Sequence, residues 1–131
     1  MCLWSITARY RDNTELRKGY KVFRSVQGVL LFENCAYESS FTVPRGKWIH
    51  TSARRGEQDY RLGFHVYNDK RCADSSENHS VGYKTTLVYC KNIIVIGRQR
   101  CIARKPDAFV CTSIYVPKDK WDIPKEFRSK R

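Results

Sequence analysis

The sequence predicts an α+β fold. The expected form is one compact domain on a mostly antiparallel or mixed β-sheet, with one or two short helices and a basic C-terminal tail. Three observations lead there. Short β-rich runs, several of them alternating apolar and polar residues, recur about six or seven times, each of strand length. One polar segment, 69–78, follows Asn68 and Asp69, either of which can cap a helix. The chain has 131 residues, enough for one hydrophobic core but not for two. The core domain is expected over 1–116 and the tail over 117–131.

Residues 1–19 are polar and mixed and end at Gly19. Tyr20-Lys21-Val22-Phe23-Arg24 alternates, as a strand does. Ser25-Val26-Gln27-Gly28 supplies a turn, and Val29-Leu30-Leu31-Phe32 reads as a more buried partner, so 20–32 is a predicted β-hairpin. Residues 35–43 read as extended or irregular. Pro44-Arg45-Gly46 is a turn before the short strand Lys47-Trp48-Ile49-His50. Residues 51–61 read as an exposed loop rich in arginine, and 62–67 as the next strand. Tyr83 to Tyr89 and Ile93 to Ile96 are two β-rich runs parted by Cys90-Lys91-Asn92. Phe109 to Val116 is the last strand, ended by Pro117. In the tail only Trp121, Ile123 and Phe127 are apolar enough to dock it.

Lys and Arg number 25 against 13 Asp and Glu, a net charge of +12. An acidic nucleic-acid mimic is therefore excluded, and a polyanionic partner is favoured. No run of 18 apolar residues occurs, so no membrane association is expected. Met1 to Arg11 lacks a positive stretch followed by an apolar one, which predicts a cytoplasmic protein. The cysteines Cys2, Cys35, Cys72, Cys90, Cys101 and Cys111 then read as thiols. No C-x-x-C pair exists and His50, His65 and His79 are isolated, so neither a metal nor a cofactor is expected.

The order of motifs is Met1-Cys2-Leu3, Gly19-Tyr20-Lys21-Val22-Phe23, Gly28-Val29-Leu30, Gly46-Lys47-Trp48-Ile49 and Gly63-Phe64-His65-Val66-Tyr67, then a helix containing Ala73. This order resembles a group of small, largely uncharacterised bacteriophage-encoded proteins, over residues 1–116. The chain departs from their pattern at 98–108 and in the tail. The resemblance implies a phage accessory protein that counters host defence, for instance an anti-CRISPR protein. It implies no catalytic mechanism.

Several residues carry candidate chemistry. If Met1 is removed, Cys2 becomes an N-terminal thiol beside an amine that can act as its base. That arrangement suits a nucleic-acid-processing or crosslinking enzyme; otherwise Cys2 packs with Leu3 and Trp4. His65 shares a strand face with Tyr67, opposite Phe64 and Val66. There it serves either acid–base work or an ordinary strand hydrogen bond. A Gly-Phe-His strand followed by a short helix also has a loose similarity to ADP-ribosyltransferase-like folds, without their Tyr and Glu partners.

The basic residues fall in three groups. Arg45, Lys47, Arg54, Arg55 and Arg61 surround Trp48, His50 and Tyr60; Arg98, Arg100, Arg104 and Lys105 lie in a late turn; Lys118, Lys120, Lys125, Arg128, Lys130 and Arg131 lie in the tail. Guanidinium forks hold phosphates and interleaved aromatics stack bases, so the first two groups are the expected anion-binding residues. Trp48, Trp121, Lys118 and Lys120 are the expected partner contacts. No Gly-rich phosphate loop or carboxylate pair is visible. The sequence thus favours a binding protein over an enzyme. Its expected target is a host defence complex, with its RNA or DNA, or an anionic nucleotide signal.

Overall fold

The computed structural model describes Leu3 and residues 5–10, 15–32, 42–51, 54–55, 61–74, 82–98 and 105–128. Strands are β1 (Ser5–Arg9), β2 (Arg17–Val26), β3 (Val29–Leu31), β4 (Trp48–His50), β5 (Arg54–Arg55), β6 (Arg61–Leu62), β7 (Phe64–Tyr67), β8 (Tyr83–Arg98) and β9 (Ala108–Tyr115). The helix α1 spans Lys70–Asp74, and a 3-10 turn spans Lys125–Phe127. Strand makes up 56% of the structure and helix 9%. Every strand pairing described is antiparallel.

The expected α+β class is therefore corrected to an antiparallel all-β architecture. The reason lies in the segment 69–78. Asp69 does start a helix, its carboxylate accepting the Cys72 amide at 2.8 Å. Only Ala73 of that helix is fully buried. One small residue is not the apolar stripe that holds a longer helix on a sheet, and α1 is described over Lys70–Asp74 alone, with 75–78 outside the described residues.

The sheet closes on itself. β8 pairs with β2, β2 with β7, β7 with β9, and β9 returns to β8. β1 lies on the far half of β8, and β4 lies on the last residues of β9. Closure demands close backbone approach at the seams. A Cβ on Gly19 would sit 2.4 Å from Val66 Cγ1 and 2.7 Å from the Tyr67 carbonyl oxygen. A Cβ on Gly63 would sit 2.5 Å from the Cys111 carbonyl oxygen. Glycine at these two positions lets β2, β7 and β9 come together.

Phe23, Phe32, Phe64 and Phe109 fill the interior and are fully buried. Phe32 meets Phe23 edge-on at 5.9 Å and stacks on Phe64 at 5.8 Å. Burying each such ring stabilises by about 1.5–3 kcal/mol. Ile93, Ile114, Val88 and Val116 complete this core. A second cluster, on the outside of the sheet, puts Ala73 of α1 with Tyr67, Val110 and Ile94.

The predicted hairpin 20–32 is β2–β3, with Val26 opposite Val29. Gln27 and Gly28 both have positive φ, 51° and 79°, the twist a two-residue hairpin needs. The two runs predicted on either side of Cys90-Lys91-Asn92 form one strand, β8. Asn92 has φ 61°, and the strand bends there. Lys91 pairs with Ser113 on the outer face, yet Ile93 and Cys111, two residues along each strand, belong to the inner core. The bend lets both halves of a 16-residue strand line the same interior.

Candidate nucleic-acid interface

β4, β9 and β8 present their outer face as two rows. Register places Trp48 opposite Tyr115 and Tyr115 opposite Tyr89. The next row is His50, Ser113 and Lys91. In the aromatic row, Trp48 meets Tyr115 edge-on at 5.6 Å and Tyr115 meets Tyr89 at 6.3 Å. In the polar row, His50 Nδ1 lies 2.7 Å from Ser113 Oγ, which also accepts from Asn92 Nδ2 at 3.2 Å.

The C-terminal segment crosses this face. Phe127 packs 4.7 Å from Tyr89 and 6.4 Å from Trp48. Lys91 Nζ sits over the Trp48 ring at 4.2 Å and pairs with Glu126 at 3.4 Å. Glu126 is held below the usual carboxylate range, first by its own backbone amide and then by Lys91 and Trp48. Tyr115 donates its hydroxyl to Asp122 at 2.6 Å, and the other Asp122 oxygen accepts the Lys118 amide at 2.8 Å. That hydrogen bond pushes the Tyr115 phenol up to about 12 and draws the Asp122 carboxyl down. The segment up to Arg128 is thus tied to the sheet.

These ties shape the turn between them. Asp119 accepts the Trp121 amide at 2.8 Å on its carboxylate and the Asp122 amide at 3.2 Å on its carbonyl. Trp121 is left 80% exposed, with Lys120 Nζ 5.1 Å from its ring. The tail was expected to dock through Trp121, Ile123 and Phe127. Phe127 does so; Trp121 points into solvent, and Ile123 is also exposed.

The same turn gathers cations that the sequence holds far apart. Gly46 donates to the Val116 carbonyl at 2.7 Å, and Arg45 Nε donates to the Pro117 carbonyl at 2.9 Å. Gly46, at φ 76°, lies so close that a Cβ there would meet the Lys118 side chain at 2.4 Å. Arg45 and Lys47, the chain neighbours of Gly46, are thereby brought to the segment that holds Lys118, and the side chains of Arg45, Lys47, Lys118, Lys120 and Trp121 are all exposed. Asp119 and Asp122 offset part of this charge, but Asp122 already accepts two hydrogen bonds.

The other expected site residues belong to other elements or fall outside the described residues. Arg54, Arg55 and Arg61 belong to the two-stranded β5–β6 unit, with Arg55 opposite Arg61. Arg98 and Lys105 sit at the other end of the β8–β9 pair, roughly 20 Å along the strands from Tyr115. Cys2, Arg100 and Arg104 lie outside the described residues. Trp48 is half-buried among Tyr115, Phe127 and Lys91, so it supports the tail rather than standing open.

His65 faces away from Phe64 and Val66, as the alternation predicts. Burial, followed by the nearby Lys21 charge, lowers it from 6.5 to about 3. The buried Lys21 donates from Nζ to the His65 carbonyl at 2.8 Å. At neutral pH the imidazole is therefore uncharged. Cys90 and Cys111 are fully buried in the interior, and burial together with a hydrogen bond between them raises the Cys90 thiol well above its ordinary value. Among the described residues no three His, Cys, Asp or Glu side chains converge as metal ligands. No helix among them is long and apolar enough to cross a membrane.

Sequence reasoning missed the aromatic row and the Asp122 clamp. Their signal was present in the alternation of Tyr89 with Lys91 and of Ser113 with Tyr115, but the pairing of β9 with β8 is nonlocal. No protein-family model matches the chain, and no curated protein or solved structure matches it either.

Proposed function

We propose that this protein binds nucleic acid, without catalysis, through the turn that carries Trp121. The observation that supports the reading most is the exposure of Arg45, Lys47, Lys118 and Lys120 on two packed segments, one of which carries an indole that is 80% exposed beside Lys120. An open indole beside a lysine offers a π-face on which a base can stack while the cation meets a phosphate. Cations hold the phosphates and the ring takes a base or a hydrophobic partner. The net charge of +12 draws a polyanion to this surface over distance.

The wider role we assign is counter-defence. Acting in the host cytoplasm, a phage-encoded protein would occupy the RNA or DNA of a defence complex such as a CRISPR effector. The motif order supports that setting, and a plasmid-interference assay with and without the protein tests it.

The binding itself is tested by fluorescence anisotropy of a labelled oligonucleotide across a salt series. With three or four phosphates engaged, log K should fall with log salt at a slope of about −2 to −3 for a single strand. Lys118→Ala with Lys120→Ala should make the slope shallower by about 1.4. Undetectable binding at low salt, or a double variant that binds like the parent, sinks the proposal.

A further inference from the structure

Resting on that reading, we infer that the nucleic acid taken here is single-stranded. One base stacks on Trp121, and the strand runs past Lys118 and Lys47 along the open edge of β4 towards His50.

Duplex recognition needs an element that enters a groove about 12 Å wide. The helix α1, over its five described residues, buries Ala73 against the sheet and offers no groove-filling face there. The β2–β3 hairpin is a ribbon of suitable width, but its tip is Val26-Gln27-Gly28-Val29, which carries no charge for the phosphates on either side. Neither described element suits a duplex.

The Trp121 turn suits a single strand. A base inside a duplex shows only its edges, whereas an unpaired base offers a π-face. Trp121 presents the matching face from a backbone that Asp119 and Asp122 hold in place. No reordering of that turn is needed on binding, which lowers its entropic cost.

The path away from Trp121 is also built. Lys118 lies against Gly46, and Lys47 leads into β4. β4 is the end strand of its sheet and pairs only with β9 among the described strands. His50 is exposed on it, its ring oriented by Ser113, which Asn92 in turn holds. The track is short, on the order of four nucleotides, which is the low end for small β-domains that follow a strand.

The test compares a labelled 12-nucleotide oligo-dT with a blunt 12-base-pair duplex at one fixed low salt. The parent, Trp121→Ala and Trp121→Phe are measured, and circular dichroism checks folding, which substitution at so exposed a position leaves intact. The single strand should bind at least tenfold more tightly than the duplex. Trp121→Ala should weaken it by about 5- to 100-fold, the range of one lost stacking contact. Trp121→Phe should recover most of that loss, and duplex binding should barely change. Equal binding of both forms with no effect of Trp121→Ala overturns the single-strand inference and leaves the cationic surface standing. Failure of both forms to bind at low salt removes the underlying reading instead.

Discussion

Acid should unfold this protein by way of His65. Its imidazole has a value of 6.5 when exposed and about 3 in the folded state, because burial and then the Lys21 charge disfavour the cation. Between these values the unfolded chain takes up a proton that the folded chain refuses. Stability therefore rises with pH across that window and is lost as pH falls below 6.5. Each pH unit inside the window is worth about 1.4 kcal/mol. At pH 5 the loss is about 2 kcal/mol, which for a chain of this size lowers the melting temperature by roughly 8 °C. Asp122 and Glu126, drawn down by their hydrogen bonds, act in another range. Their contribution is present above the ordinary carboxylate values and fades only below about pH 4. Urea unfolding at pH 7, 6 and 5, with the parent and His65→Gln side by side, isolates the effect. The variant keeps a side-chain donor for the Gly63 carbonyl but cannot charge, so its stability should be nearly flat over that range. Parallel pH curves for the two proteins would refute the argument.

Gly19→Ala should cost about 1–3 kcal/mol in urea unfolding, because the new methyl meets Val66 and the Tyr67 carbonyl at the seam of the closed sheet; an unchanged midpoint would show that the seam can open. Phe127→Ala should cost about 1 kcal/mol by removing its ring contacts with Tyr89 and Trp48. It should also speed proteolysis after Pro117, and limited digestion that cuts both proteins equally would show that the tail is not held by this ring. Native-state alkylation with peptide mapping should label the half-buried Cys72 before Cys90 and Cys111, which are fully buried in the interior. Labelling in the opposite order would contradict the assigned interior.

Much of the sheet was legible from local pattern. Alternation located β2, β4, β7 and β9, and Gly28 marked the hairpin turn. β1 was not legible, because Ile6-Thr7-Ala8-Arg9 buries little and the strand gains its order from pairing with the distant β8. β8 was read as two strands because the polar Lys91 and Asn92 look like a break. They are in fact the point where the strand changes face, which a period-2 reading cannot follow. The weight of helix in the fold was overestimated because an Asx cap states where a helix begins and not what holds it down. At the site, residue types were legible and their grouping was not. Arg45 and Lys47 were grouped with the arginines of 54–61, and the nonlocal packing of Gly46 on Lys118, which brings their segment to the tail, left no local signal. Trp121 was read both as a tail anchor and as a partner contact, and its 80% exposure excludes the anchor role.

The turn around Trp121 is fastened from below by hydrogen bonds to backbone amides and by Asp119 and Asp122. Its outward side chains, Lys118, Lys120, Trp121 and Ile123, contribute little to those bonds. What holds the turn and what faces solvent are thereby assigned to different atoms of the same six residues. Substitutions at the outward positions can accumulate without eroding the barrel, so this surface can be rewritten at almost no cost in stability.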